Sequence, residues 1–263
     1  MEAEYICEGS PDMNNLIGFF DSGMGGISVL HEARKLLPNE NYLFFGDNAN
    51  SPYGPRPLEE IRRLSAEGIA RLLERDVKAI VIACNTATSA YAEILRAEHP
   101  ELPIVGMEPA LKPAHFARHG GKVIVLATEA TLRLSKFERL MALYGDDVIC
   151  VPGKGLVELV EAGKAGGPEA DARLRALLGP WIGRQIDAIV LGCTHYPFLH
   201  AQIQAIFPEA QLFDGRDGTA QRLKYLLEQN SLLSSDTPGS VEYQSSGGPE
   251  AIALMRSLMA ELD

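Results

Sequence analysis

A short apolar run that ends in a cysteine and then in hydrogen-bonding side chains occurs twice in this chain. Ala79, Ile80, Val81 and Ile82 lead to Cys84, Asn85 and Thr86; Ala188, Ile189, Val190 and Leu191 lead to Cys193, Thr194 and His195. Continuous apolar runs of four to eight residues bounded by polar turns are the pattern of strands buried on both faces. One such strand carrying a cysteine is ordinary, because free cysteine packs as a small apolar residue. Two matched copies imply two matched units, each presenting a thiol at a strand end.

The rest of the chain supports that doubling. Strands are expected at 16–20, 41–46, 78–83 and 103–107, with helices at 27–37, 58–75 and 86–98 between them. Proline at the second and glycine at the fourth position predict a type I turn at 51–54. The alternation then restarts. Strands are expected at 122–127, 147–151, 188–192 and 211–214, and helices behind Thr128, Thr131 and Ser135 and at 155–165, 168–184, 198–207 and 219–229. The tail offers an edge strand at 241–244 and a helix at 249–262. Strand and helix in regular alternation dictate α/β architecture with parallel sheets covered on both faces. The expected fold is therefore two pseudo-symmetric parallel-sheet α/β lobes with the active site in the cleft between them. Residues 1–15 form an N-terminal extension, 16–109 plus 216–263 the first lobe with Cys84, and 110–215 the second lobe with Cys193.

Composition narrows the function. The 35 acidic residues outnumber the 24 basic ones, a net charge of −11 that argues against a nucleic-acid or anionic-membrane surface. No apolar run approaches the roughly 18 residues of a membrane span, and the first residues lack the pattern of a signal peptide. The four cysteines, at 7, 84, 150 and 193, form no metal-type pair and no dense disulfide framework, which points to the reducing cytoplasm. Cys7 and Cys150 are expected to be inert.

In open parallel sheets functional groups collect past the carboxyl ends of the strands. Those positions hold Asp21 and Ser22, Asp47 with Pro52, Tyr53 and Gly54, Cys84 with Asn85 and Thr86, Glu108, Thr128 with Thr131, Cys193 with Thr194 and His195, and Asp214. Gly23, Gly25 and Gly26 hint at a dinucleotide turn, but Ser28 stands where the last small residue belongs, so the match is weak. Glu161 reads by default as a solvated helix face. Two opposed thiols fit a disulfide switch, a covalent nucleophile at Cys193 aided by His195, or a pair of bases. A helix N-terminus behind each cysteine would favour its thiolate. One thiolate could then take a proton from a carbon acid while the other thiol returns one to the opposite face. The third chemistry accounts for the matched donors around both sulfurs, which suit an amino acid's carboxylate and ammonium groups.

With these residues the chain resembles the glutamate racemases of the aspartate/glutamate racemase superfamily. The resemblance rests on Phe20-Asp21-Ser22-Gly23 with Gly25-Gly26, on Pro52-Tyr53-Gly54, on Ala83-Cys84-Asn85-Thr86-Ala87-Thr88, on Gly106-Met107-Glu108-Pro109, and on Gly192-Cys193-Thr194-His195-Tyr196-Pro197. It implies an amino-acid racemase, an isomerase that needs no cofactor or metal and supplies D-glutamate for peptidoglycan. It implies Cys193 as the base toward L-glutamate and Cys84 toward D-glutamate, with Asp21 beside Cys84 and with His195 and Glu161 on the Cys193 side. Substrate contacts would fall on Asp21, Ser22, Tyr53, Gly54, Asn85, Thr86, Thr194 and His195, and Asp47 is linked to the site. The resemblance also implies a homodimer and, in some members, a cell-wall precursor as activator. Asp214-Gly215-Arg216 and Asn50 depart from the common pattern at the hinge and rim. The alternatives are a racemase of aspartate or another carbon acid, or a nucleotide- or small-ligand-binding protein with structural cysteines.

Overall fold

The computed structural model describes residues 15–234 and 238–262 of the chain. Most of the expected N-terminal extension, with Cys7, lies outside the described residues.

The first unit runs β1 (Leu16–Asp21), α1 (Ile27–Leu36), β2 (Asn41–Gly46), α2 (Leu58–Leu73), β3 (Ala79–Ile82), α3 (Asn85–Glu98) and β4 (Ile104–Gly106). The second runs α4 (Leu111–Phe116), β5 (Lys122–Ala127), α5 (Glu129–Arg133), α6 (Ser135–Tyr144), β6 (Val148–Pro152), α7 (Leu156–Glu161), α8 (Pro168–Leu178), β7 (Ile186–Gly192), α9 (His200–Ile206) and β8 (Gln211–Asp214). The chain closes with α10 (Arg216–Gln229), β9 (Val241–Ser245) and α11 (Pro249–Leu262).

Two parallel sheets result, ordered β4-β3-β1-β2-β9 and β6-β5-β7-β8. Leaving out the edge strand β9, each sheet places its second strand beside its first and its third and fourth on the other side. The two sheets therefore share one topology, and in each the strand order reverses between the first and third strands. That reversal opens a crevice at the carboxyl ends of the strands. Cys84 follows the third strand of one sheet and Cys193 the third strand of the other.

Alternation along the strands sorts side chains onto two faces. In the first sheet Ile17, Phe19, Tyr42, Phe44 and Val81 pack under α1, α10 and α11, while Phe20, Leu43, Phe45, Ile80 and Ile82 pack against α2 and α3. In the second sheet Ile124, Leu126, Ile189 and Leu191 meet α7, α8 and α9, and Val123, Val125, Ala188 and Val190 meet α4 and α6. Each large side chain so enclosed contributes about 1.5–3 kcal/mol. The strand ends are thus carried on a rigid base, and α10 returns the chain to pack on α1.

Several local expectations are corrected. The 51–54 segment is not a type I turn: Ser51–Pro52 is a cis peptide, an arrangement open chiefly to proline, and the hydrogen-bonded turn is formed by Arg56 N–H and Tyr53 C=O. The helix expected at 155–165 ends at Glu161, followed by Gly163 at a φ of 68°. The helix expected at 168–184 ends at Leu178, before Pro180. Cys193 is not followed by an α-helix but by a single 3-10 turn, Tyr196–Leu199, before α9 begins. The helix behind Thr128 is two helices, parted by extended backbone at Leu134. The short helix α4 carries no signal strong enough to be foreseen. Among the described residues no helix is long and apolar enough to cross a membrane.

Candidate active site

Cys84 occupies the N-cap of α3, where the chain leaves β3 in extended conformation and its side chain faces the free N–H groups of the first turn. Its Sγ accepts from Ala87 N–H at 3.4 Å and lies 3.2 Å from Ser22 Oγ. Thr88, one helical turn along, ties β3 to β4 through Ile82 C=O (2.9 Å) and Met107 N–H (3.1 Å). Asp21, at the end of β1, is fully buried and accepts from Gly23 N–H at 3.2 Å. Burial raises the Asp21 pKa, with nearby His195 pulling it down. Burial, then the Asp21 charge, push the Cys84 thiol up to about 12. The helix N-terminus and Ser22 act the other way and lose. The helix start favours the Cys84 thiolate as expected, through Ala87 N–H, but burial and Asp21 outweigh it and keep the sulfur a thiol at neutral pH.

Cys193 has different company. Its Sγ lies 3.7 Å from His195 Nδ1, and the far ring nitrogen, Nε2, is 3.0 Å from Glu161 Oε1. A carboxylate only accepts, so Nε2 carries the proton and Nδ1 is left to exchange one with Cys193. Burial opposes a charged His195, yet the contacts with Cys193 and Glu161 outweigh it and hold its pKa well above the usual value. Glu161 is likewise opposed by burial but kept below the ordinary carboxylate range by His195 and Ser51. It is not a solvated helix face. Its side chain is 19 % exposed and turned into the cleft, so the default reading of Glu161 is corrected.

The two thiols converge. Ser22, Tyr53, Gly54, Cys84, Asn85, Thr86, Cys193, Thr194 and His195 line one enclosed cavity of about 20 Å³, together with Pro52, Thr128, Val157 and Gly192. Space of that size holds about one water molecule. Asp21 lies beneath this wall rather than on it, reached by Thr194 Oγ1, which donates to its Oδ1 at 3.3 Å. The Tyr53 hydroxyl donates to Asp47 Oδ2 at 2.6 Å. Asp47 also accepts from Asn50 Nδ2 (3.0 and 3.1 Å) and Ser246 Oγ (2.6 Å), which fixes the loop that carries Tyr53 and Gly54. Thr86 Oγ1 meets Thr128 Oγ1 at 3.0 Å across the cleft.

Asn85 stands apart. Both its amide nitrogen and its amide oxygen are buried without a partner. A buried polar group left so costs about 1–3 kcal/mol. A donor and an acceptor side by side in the cavity wall suit a carboxylate and an ammonium group.

The glycine-rich turn after β1 has a structural reason that is not nucleotide binding. A Cβ at Gly23 would fall on Glu161 Oε1, and one at Gly25 on His195 and Thr194. These glycines let the second unit close onto the first. Ser51 and Val157 escaped the sequence reading: a lone serine before Pro52 and one more apolar residue on α7 carry no signal of their own. Thr128 and Thr131 stood out only as polar strand-end residues. Asp214 turns back on its own helix start, accepting from Arg216 N–H (2.9 Å) and its guanidinium (2.8 and 2.9 Å). Among the described residues no group of three or more His, Cys, Asp or Glu side chains could hold a metal ion.

Known proteins share this fold. The family described as Asp/Glu/Hydantoin racemase matches residues 27–223. A glutamate racemase of Clostridium perfringens (strain SM101) is 51 % identical over 227 residues, covering 85 % of this chain and 87 % of that protein. The crystal structure of Thermus thermophilus glutamate racemase with β-chloro-D-alanine is similar at a TM-score of 0.77 and 38 % identity, over 94 % of each chain. The structure of Escherichia coli glutamate racemase with L-glutamate and the activator UDP-MurNAc-ala gives a TM-score of 0.82 at 30 % identity, over 94 % of this chain and 95 % of that one. With the twin sheets, the paired strand-end thiols and these relatives together, the chain belongs to the Asp/Glu/Hydantoin racemase family, alongside its glutamate racemases.

Proposed function

We infer that the protein interconverts L- and D-glutamate, supplying the D enantiomer for peptidoglycan, and that Cys84 and Cys193 are its two acid/base groups. The observation that carries this reading is the convergence of both thiols on one closed cavity whose wall holds an unsatisfied amide.

In the proposed mechanism L-glutamate lies with its α-carbon between the sulfurs. Asn85, Thr86, Ser22 and Thr194 hold its carboxylate and ammonium, and the backbone at Tyr53 and Gly54 closes the wall. Cys193, as thiolate beside the His195 imidazolium, removes the α-proton, and the sulfur becomes a thiol. Cys84, already a thiol, delivers its proton to the opposite face. The product is D-glutamate, and the two sulfurs have exchanged protonation states. The reverse reaction starts from that state, with Cys84 as the base and Asp21 as its neighbour. Glu161 keeps His195 oriented and protonated at Nε2. The cavity between the thiols is tight, and in this reading the cleft opens to admit glutamate and closes to exclude water around the carbanion.

The same reading divides the chain into one lobe of 16–109 with 216–263 and another of 110–215, supported by the packing of α10 on α1 and the pairing of β9 with β2. It places the enzyme in the cytoplasm as a homodimer. It also makes a cell-wall precursor of the kind bound to the E. coli relative a candidate activator. Sedimentation, and rates with and without such a precursor, decide these two points. The function itself is tested by chiral chromatography of L-glutamate incubated with purified protein and no added cofactor. D-glutamate should accumulate to equality. Turnover of aspartate with none of glutamate would move the assignment to a sister activity, and turnover of neither, with precursor present, would refute it.

A further inference from the structure

Three groups from the first sheet's side reach across the cleft to one carboxylate on the other side. Ser51 Oγ donates to Glu161 Oε1 at 2.7 Å, Met24 offers its backbone N–H, and Gly23 leaves the space in which that oxygen sits. The same Oε1 accepts from His195 Nε2 at 3.0 Å. One oxygen therefore joins a serine of the loop after β2 to the imidazole behind the thiol of the other sheet.

Ser51 is firmly placed for this. It follows a 3-10 turn at Asn48–Asn50 and bonds back to Asn48 C=O. Asn50 C=O is held by Arg56 Nε at 2.9 Å and the Asn50 amide by Asp47. Glu161 by contrast is the last residue of a one-and-a-half-turn helix, α7, with Ala162 and Gly163 beyond it. When the cleft opens to admit a ligand, the Ser51 and Met24 contacts part, and nothing from the first sheet then orients Glu161.

We propose that Ser51 is a positioning residue that couples closure of the cleft to alignment of the Glu161–His195 pair behind Cys193. The inference rests on the two-thiol racemase reading. Cys193 is then supported by its imidazole only while the cleft is closed, so an open site, where water could protonate a carbanion, has a misaligned base. The direct partners of Cys84, Ser22 and Ala87, belong to its own side, and the cross-cleft contact there, Thr194 Oγ1 to Asp21 at 3.3 Å, reaches the neighbouring carboxylate and not an imidazole.

The test compares the unmodified protein with Ser51→Ala and Ser51→Thr. Enantiomers have equal free energy, so kcat/KM must fall equally from both sides and cannot report a side. The α-deuterium isotope effect can. Ser51→Ala should lower kcat roughly tenfold with little change in KM, as expected for one lost charge-assisted hydrogen bond. The isotope effect should rise from L-glutamate, where deuterium leaves to Cys193, and fall from D-glutamate. Ser51→Thr, which keeps the hydroxyl, should restore kcat to within about threefold. Unchanged kcat, or isotope effects that move together in both directions, would overturn the proposal. A second readout needs no turnover: the His195 Nε2–H proton should give an exchange-protected downfield resonance in the unmodified protein and in Ser51→Thr, lost in Ser51→Ala. A resonance that persists in Ser51→Ala, or is absent from the unmodified protein, would also overturn it. If the unmodified protein leaves glutamate unchanged, the racemase reading fails on its own and this resonance alone decides whether Ser51 holds the pair.

Discussion

The surroundings of Cys84 and Cys193 start from one backbone plan and end in opposite electrostatics. Each sulfur stands just past the third strand of a sheet with the same strand order, and both are nearly buried, at 5 and 7 % exposure. Cys84 caps an α-helix but has the Asp21 carboxylate beside it; Cys193 has only a 3-10 turn but an imidazole tied to Glu161. The helix start on the Cys84 side loses to burial and a neighbouring negative charge, as is expected where little water screens them. On the Cys193 side a mobile proton is available from His195. The duplicated scaffold supplies equivalent positions, and the side chains raise the pKa of one thiol and set an imidazole beside the other.

The strongest way to break this comparison is to remove either sulfur. Cys84→Ala and Cys193→Ala should each lower racemisation by about 10³-fold or more while leaving the circular dichroism spectrum unchanged, since general acid–base groups contribute about 10²–10⁴-fold. Substantial activity in either variant would mean that one sulfur serves both faces. Next come the neighbours. His195→Asn and Asp21→Asn should each reduce kcat by about 10–10²-fold, with opposite signatures: the α-deuterium isotope effect rises from L-glutamate in the first and from D-glutamate in the second. The same direction in both would dissolve the division of labour.

The resting state of Cys84 can be read from its alkylation rate. Its folded-state pKa is raised, so the neutral thiol persists from below the ordinary thiol value and gives way only as pH climbs toward about 12. Iodoacetamide labelling of Cys84, followed by peptide mass spectrometry, should therefore keep rising about tenfold per pH unit beyond pH ~9, where a free thiol levels off. A plateau near pH ~9 would contradict the account. The smallest effect concerns Tyr53. Because its hydroxyl is already donated to Asp47, Tyr53→Phe should leave kcat within about threefold while lowering unfolding stability by about 1–2 kcal/mol in denaturant titration. A large loss of kcat would place the hydroxyl on the substrate.

The paired sheets and both thiols were legible because the signal is local: a buried strand, then a polar turn, repeated. The edge strand β9 and the closing helix could be read for the same reason. What the sequence hid depends on contacts between distant segments. Glu161 has the spacing of an exposed helix residue, so the resemblance alone marked it; its contacts with Ser51, Gly23 and His195 come from elsewhere in the chain. The glycines at 23 and 25 resembled a phosphate turn until the second sheet's side chains were seen to fill the space they leave. For Cys84 the helix start is visible in sequence, whereas the depth of burial and the approach of Asp21, which outweigh it, are not.

The central claim is that each sulfur serves one face, and hydrogen isotope distribution tests it most directly. L-glutamate is incubated with the protein in deuterated water, stopped at a few per cent conversion, and both enantiomers are analysed by chiral separation and mass spectrometry. Two bases predict D-glutamate carrying one deuterium and recovered L-glutamate carrying none, because the proton taken by Cys193 and the deuteron given by Cys84 never share a sulfur. Deuterium in the recovered L-glutamate at the same level as in the product, or product retaining the original hydrogen, would contradict the account.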